Sequence, residues 1–558
     1  MYIVKFEQNK TTIFMNRFLA MLLIIAGVYS CNKPLEYKAS KSVIIPAPLS
    51  TQIASGNFVF DDDIQIRIEE IELMPEAKYF ESKLTELFQV NPVIEKGRST
   101  KNSIHLSVSE DIKDEEGYEL SIGTNRINVI GSTPKGVFYG LTSLIQIIAN
   151  EYNETASSKL PVNLPLLKIT DQPEFKWRSF MLDEGRYFKG AEQVKKLLDE
   201  MALLKMNVFH WHLTDDQGWR IEIKKYPELT NVGSKRSNSE IGGWSSGKYS
   251  NQPHEGYYTQ GEIKEIIKYA AERKITIVPE IGMPGHASAA IVAYPWVGTL
   301  GELTEVPYIF RKYEDSFNVT DPRVVQFLKD IIDEVVELFP GDYIHIGGDE
   351  VVFPTWNNTP SIVNYMKENE FKSPTDLQVA FTNQMARYIE SKGKKMIGWN
   401  EIVGEALQKE QGNVAVAKEE LSKSAVVQFW IGEVEKINEV IERGYYIVNS
   451  YNKSTYLDYN HKRLSLEMTY NFSPIPEGLD AANNKYVLGL GAQMWGEFIP
   501  EIKDMDRQVF PRIAALAEVG WSARDTKDYA VFCTNLKKMY KQWEAKNIGF
   551  KADAIDIK

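Results

Sequence analysis

Asp349 and Glu350 stand side by side where an apolar run ends: Tyr343 to Ile346 read as a buried strand, Gly347 and Gly348 release the chain, and the two carboxylates follow. Burying one unpaired carboxylate is costly and burying two together more so, so a sequence that places such a pair at the mouth of a strand has a use for it. The competing reading is a helix N-cap with an acidic first turn. Other chemically capable residues recur at the ends of apolar runs: Asp183 and Arg186; His212, Asp215 and Asp216; Glu280; Trp399 and Glu401; Trp430; Tyr451; Trp495 and Glu497. Carboxylates and tryptophans with few basic residues point to glycoside hydrolysis, in which indole faces stack on sugar C–H faces and carboxyls supply acid, base and hydroxyl contacts. A conventional retaining site needs two carboxyls on different elements, about 5–5.5 Å apart. Asp349 and Glu350 are chain neighbours, which a strand sends to opposite sides. They fit one sugar approached from two sides, one protonating the leaving oxygen and the other steering a ring substituent.

The elements that must position these residues alternate apolar strands with helical periodicity, the sign of βα units and a parallel sheet. Eight strands are expected: 179–182, 207–213, 275–280, 343–346, 395–399, 425–430, 445–448 and 487–495. Helices fit between them at 191–205, 260–273, 322–338, 376–392 and 433–442. The fold class is α/β: a TIM (β/α)8 barrel over 166–525, whose active site lies at the C-terminal ends of the strands. Three connections, about 214–259, 281–321 and 450–485, are long enough to be functional and to wall a pocket, with Trp244 in a glycine-serine loop placed to cap it. Two amphipathic helices, about 504–521 and 528–546, close the chain, and 526–558 packs on the barrel. Before the barrel, residues 43–165 read as a small α+β domain with no catalytic constellation. Its expected elements are strands at 42–45, 58–60, 64–68 and 104–108, helices at 76–88 and 134–149, and a hairpin of 118–122 with 126–130.

Composition narrows the class. The chain is 43% hydrophobic and 25% charged, ordinary for a globular protein, and its 11 Trp and 28 Tyr suit sugar faces as well as cores. A net charge of −12 argues against nucleic acid, which needs a basic footprint. The two cysteines, Cys31 and Cys533, allow neither a disulfide framework nor a cysteine metal cluster. Met15, Asn16 and Arg17 form a short basic region, and Phe18 to Val28 is an apolar run too short to span a bilayer comfortably. With Ser30 before Cys31, residues 1–31 resemble a bacterial lipoprotein signal. That resemblance implies cleavage before Cys31, lipid on its sulfur, residues 32–42 as a tether, and export to the envelope with the anchor as the sole membrane contact.

The stretch from His345 to Glu350 resembles the catalytic signature of glycoside hydrolase family 20, the β-N-acetylhexosaminidases. The resemblance runs across 43–523: Trp177, Arg178, Leu182, Asp183 and Arg186; His210 to Arg220; Pro279, Glu280 and Met283 to His286; Gly398 to Glu401; Gln428 to Trp430; Tyr456 to Asp458; and Trp495 to Glu497. It implies exo-acting removal of terminal β-linked N-acetylglucosamine or N-acetylgalactosamine from oligosaccharides or glycoconjugates, with retention and without a cofactor. By the same resemblance Glu350 is the general acid and then base, while Asp349 holds the acetamido N–H so that the acetamido oxygen attacks and forms an oxazolinium ion. Tyr456 donates to that oxygen, and Trp399, Trp430 and Trp495 line the acetamide pocket and sugar face. Arg178, Asp458 and Glu497 hold the hydroxyls. Asp215 and His286 form a relay behind Glu350. One departure from the family pattern is Gly282, where a carboxylate often supports the relay histidine.

Three alternatives remain beside this reading. A disaccharide-releasing member differs mainly in its loops. A non-catalytic glycan-binding lipoprotein would use the same scaffold, against which Asp349, Glu350 and Tyr456 are all present. A metal-dependent barrel hydrolase would use His210 and His212, which share a strand face. Against a metal, the chain has 7 His, of which His461 alone follows His345.

Overall fold

The computed structural model describes residues 35–97, 102–154, 159–405, 407 and 415–556. The expected export signal and Cys31 lie outside them. Among the described residues, no helix is long and apolar enough to cross a membrane.

Eight parallel strands close into a barrel: Trp177–Asp183, Val208–His212, Thr276–Glu280, Tyr343–His345, Lys395–Trp399, Val426–Phe429, Tyr446–Asn449 and Val487–Met494, the last pairing with the first. All eight expected strands are present within a residue or two of their expected limits. They are buried nearly end to end, as a parallel sheet covered by helices requires. The crossover helices follow the sequence pattern, and Pro322–Leu338 shows why one is so sharply bounded. Asp321 caps it by accepting from Arg323 N, Pro322 opens it, and its apolar face (Val324, Phe327, Leu328, Ile331) is buried. The expected closing helix at 504–521 is two helices, Ile502–Val509 and Arg512–Trp521. Pro511 has no N–H to continue the ladder, and Phe510 before it is extended at φ −96°, ψ 128°.

The preceding domain is an eight-stranded sheet with helices Met74–Phe88 and Pro134–Glu154 on it. Its boundary is later than the expected 165. Val162–Asp171 pairs antiparallel with Ser50–Phe60 and with Tyr118–Ile122, so it is a strand of this sheet, and the barrel begins only after Asp171. The expected strand at 42–45 is instead a bend whose backbone is held by side chains: Ile45 N donates to Gln146 Oε1, and Gln146 Nε2 donates to Ile45 O. The two domains join beneath the barrel, at the N-terminal ends of its strands. There Lys205 Nζ donates to Asp171 Oδ2 at 2.8 Å and to Tyr118 Oη at 2.9 Å, and Trp521 Nε1 donates to Asp171. Lys205 and Asp171 are fully buried as a pair, which a low-dielectric interior tolerates only with such complete bonding.

Candidate active site

The strand Tyr343–His345 delivers the carboxylate pair to the C-terminal mouth of the barrel. Gly347 (φ 69°) and Gly348 (φ 91°) turn the chain through the left-handed region, and a Cβ on Gly348 would collide with Ile402. Glu350 itself sits at φ 53°, and His286, facing it, also at φ 53°. Left-handed backbone at non-glycine residues costs free energy that the surrounding packing must supply, and Glu350 and His286, which meet here, are two such residues.

His286 Nε2 lies 3.5 Å from Asp349 Oδ2 and 3.7 Å from Glu350 Oε2. Its Nδ1 is 3.1 Å from Asp216 Oδ2 and 3.5 Å from Asp215 Oδ1. Burial opposes a charge on the ring, but Asp215 and Asp349 together hold the imidazolium well above the usual histidine range. Both ring nitrogens then carry protons, one toward Asp216 and one toward the Asp349–Glu350 pair. The relay partner expected from the sequence, Asp215, faces Nδ1, and its neighbour Asp216 makes the shorter contact to it. Asp216 is fixed in turn by the Ser288 N–H and hydroxyl, while Asp215 accepts from His212 and pairs with Arg186 Nη2 at 2.9 Å. His286 therefore has two buried carboxylates behind it despite Gly282. Glu350 is raised above the ordinary carboxyl range, chiefly by burial and further by Asp349, against the pull of His286 and of Lys312, whose Nζ is 3.3 Å from Oε1.

Four aromatic rings form the rest of the floor. Trp399 lies 5.7 Å from Trp495 and 6.4 Å from Trp430 between ring centroids, and Tyr456 stacks parallel to Trp430 at 6.0 Å and tilts against Trp495 at 6.1 Å. The indoles are locked from behind: Trp399 Nε1 donates to Glu280 Oε1 and Trp430 Nε1 to Glu401 Oε2, each at 2.9 Å. Burial, then the charge of Asp349, pushes Glu401 up to about 8. Tyr456 is fixed by a backbone bridge to Gln493 on the last strand. At the other end of the same cavity, of about 610 Å³, stand Arg186, Asp458 and Glu497. Asp458 Oδ1 is buried with no hydrogen-bond partner in the protein, and burial followed by the repulsion of Glu497 pushes this carboxyl up to about 8. Two carboxyls and a guanidinium facing one cavity are donors and acceptors suited to vicinal hydroxyls.

One expected binding residue is elsewhere. Arg178 is at the start of the first barrel strand, fully buried at the domain junction. Its Nη1 meets Glu116 Oε2 at 2.7 Å, its Nε donates to Lys205 O, and its guanidinium lies over the Trp521 ring. Arg186, past the strand's other end, is the arginine in the pocket. It is held by Asp183 and Asp215 and lies over the Trp495 ring. Arg178→Met should therefore destabilise the fold by about 3–5 kcal/mol, the scale for stranding one member of a buried pair, with KM of the surviving enzyme unchanged. Arg186→Met strands the buried Asp183 and Asp215 and should also cost stability, but it should in addition raise KM. The assignment fails if Arg178→Met raises KM as Arg186→Met does.

His210 and His212 surround Glu280 rather than an open site. His210 Nε2 and His212 Nδ1 each lie 2.7 Å from Glu280 Oε2, and His212 Nε2 reaches Asp215 at 3.0 Å. Burial works against charge on His212, but Glu280 and Asp215 push its pKa up to about 10, whereas burial takes His210 down to about 4. Among the described residues two groups bring three potential metal ligands together: His210, Glu280 and His345; and Asp215, Asp216 and His286. In both groups the carboxylates already accept hydrogen bonds from the protein. Sequence reasoning missed Lys312, Tyr459 and Arg463, which line the pocket from the second and third long connections, and it placed Trp244 correctly at the pocket.

The chain is similar to known proteins in both sequence and fold. Residues 175–524 match the family described as "Glycosyl hydrolase family 20, catalytic domain", and residues 41–172 match "Glycosyl hydrolase family 20, domain 2". A "Beta-hexosaminidase" of Porphyromonas gingivalis is 36% identical over 506 residues, which are 88% of this chain and 62% of the relative, so the chain spans less than two thirds of that protein. The structure of a β-N-acetylhexosaminidase from Bacteroides fragilis superposes with a TM-score of 0.75 at 31% identity, covering 91% of this chain and 96% of that one. An exo β-N-acetylglucosaminidase of Vibrio harveyi, solved with N-acetylglucosamine, gives a TM-score of 0.79 at 26% identity, covering 94% and 81%.

Proposed function

The chain belongs to glycosyl hydrolase family 20, and from that membership we propose that it is an exo-acting retaining β-N-acetylhexosaminidase working by substrate-assisted catalysis. The observation that carries the reading is the Asp349–Glu350 pair, backed by His286 and opening onto the box of Trp399, Trp430, Trp495 and Tyr456. That box is closed on several sides by aromatic faces and has one hydroxyl, which suits a methyl-bearing amide better than a sugar hydroxyl.

In the reaction, Glu350 gives its proton to the glycosidic oxygen while the acetamido oxygen attacks the anomeric carbon from below. The C–O bond to the leaving sugar breaks, and its electrons stay with the newly protonated oxygen. Asp349 accepts the acetamido N–H and balances the positive charge of the oxazolinium ion, and the Tyr456 hydroxyl orients the amide oxygen. Glu350, now a carboxylate, takes a proton from the water that opens the ring, and configuration is retained. Its raised pKa suits the first step, because the acid must be protonated at the working pH. Arg186, Asp458 and Glu497 take the hydroxyls of the terminal sugar. Aryl N-acetyl-β-glucosaminides and N-acetyl-β-galactosaminides should be hydrolysed and aryl β-glucosides left nearly untouched. Comparable turnover of the glucosides would overturn the mechanism.

Residues 15–31 support a location as well: exported and held in the bacterial envelope through lipid on Cys31. Cys31→Ala should move the protein from membranes to the soluble fraction with specific activity unchanged. Wild-type protein that is already soluble and unlipidated would rule the anchor out.

A further inference from the structure

The pocket has a side the hydrolytic reading leaves unassigned. Trp244 lines the cavity together with Glu350, yet the residue is 57% exposed. It sits at the tip of a turn closed by Ile241 N donating to Lys248 O, with left-handed backbone at Gly242, Gly243, Ser245 and Gly247. A large indole held out to solvent on glycine and serine contributes little to folding, so packing does not account for it.

The turn is nevertheless fastened. Glu240 is buried, and its two carboxylate oxygens accept from different segments: Oε1 from Ser246 N at 3.0 Å and Oε2 from Phe310 N at 3.1 Å, while Glu240 N donates to Tyr308 O at 2.8 Å. Two residues past Phe310 comes Lys312, whose Nζ is 3.3 Å from Glu350 Oε1. One buried carboxylate thus ties the loop carrying Trp244 to the loop carrying the cation beside the general acid. The leaving sugar departs from the side on which the acid stands, since the acid must reach the glycosidic oxygen.

We propose that Trp244 and Lys312 form the binding place of the leaving-group sugar, with Glu240 as the positioning residue that sets them together. The inference rests on the hydrolytic reading above. Trp244 gives its ring face to the C–H face of a β-linked hexose or hexosamine, and Lys312 donates to a hydroxyl of that ring. The enzyme is then tuned to oligosaccharide leaving groups rather than to compact ones.

The test compares a substrate that reaches this wall with an inhibitor that does not. N,N′-diacetylchitobiose has a second ring, whereas a thiazoline derived from N-acetylglucosamine ends at the anomeric carbon. Trp244→Ala should lower kcat/KM for the disaccharide by about tenfold, mostly through KM, the size expected for one lost ring-face contact. The thiazoline inhibition constant should not move. Trp244→Phe should restore most of the loss, and Glu240→Gln should reproduce the pattern of Trp244→Ala. Unchanged kcat/KM in Trp244→Ala, or an equal change in the thiazoline constant, overturns the leaving-group site and leaves the hydrolytic reading standing. A wild-type enzyme that neither binds the thiazoline nor cleaves the disaccharide overturns both.

Discussion

Glu350→Gln is expected to lower kcat/KM for N,N′-diacetylchitobiose by about a thousandfold, the middle of the range for a lost general acid. The leaving group there is a sugar alkoxide, which cannot depart without a proton. An activated aryl N-acetylglucosaminide leaves as a stabilised phenolate and needs that proton far less, so its bond-breaking step should be substantially spared. Glutamine keeps the size of the side chain and removes the acidic proton and the charge, although its NH2 must then face Lys312 or His286. The pH profile gives a second reading. Burial and Asp349 hold the Glu350 carboxyl above its ordinary value, so in wild type kcat/KM for the disaccharide should fall as pH rises through that raised pKa and the acid is lost. The Gln variant has no such group, and its residual activity on the aryl substrate should lack that alkaline limb. Equal losses on both substrates, or an alkaline limb that survives the substitution, would show that Glu350 is not the acid.

Asp349→Asn should cut kcat for N-acetylglucosaminides by at least about a hundredfold, the scale for one electrostatic group aimed at transition-state charge. The substituted side chain still reaches the acetamido N–H but no longer balances the charge on the oxazolinium ion. The loss therefore falls on kcat, and KM changes less. The thiazoline, which copies the cyclised intermediate, should inhibit wild type strongly and the variant weakly. His286 loses one of the carboxylates it faces but keeps Asp215 and Asp216, so the relay remains and the effect isolates the charge at Asp349. A covalent glycosyl-enzyme trapped with a 2-fluoro sugar, or glucosides hydrolysed as fast as N-acetylglucosaminides, would replace the acetamide by a protein nucleophile.

The barrel and the carboxylate pair were legible in the sequence because their signals are local. A buried parallel strand is an apolar run with a fixed direction, and whatever follows its last residue must emerge at the rim. That rule placed Asp349, Glu350, Trp399, Trp430 and Trp495 together, and it also put Arg186 at the rim, where the structure has it. The family resemblance chose Arg178 instead, a residue at the opposite end of the same strand. Strand position was the better guide because it fixes which end of the barrel a side chain can reach.

The sequence alone determined the kind of element at nearly every point, the order of the strands and the type of chemistry at their ends. Only the tertiary structure decided how close each neighbour of a pair comes to its partner. Asp216 lies closer to His286 than Asp215 does because the hairpin of Thr214–Asp215 with Gly218–Trp219 turns the second carboxylate toward Ser288 and the first toward Arg186 as well as His286. Val162–Asp171 joined the first domain because its partners lie in Ser50–Phe60 and Tyr118–Ile122, strands distant in the chain whose pairing no local pattern records. Lys312 came to Glu350 through a clamp at Glu240 that joins two loops distant in the chain. Periodicity encodes which residues face inward along one element. Contacts between elements depend on loop paths and on the pairing of buried charges, and those are fixed only when the whole chain has closed on itself.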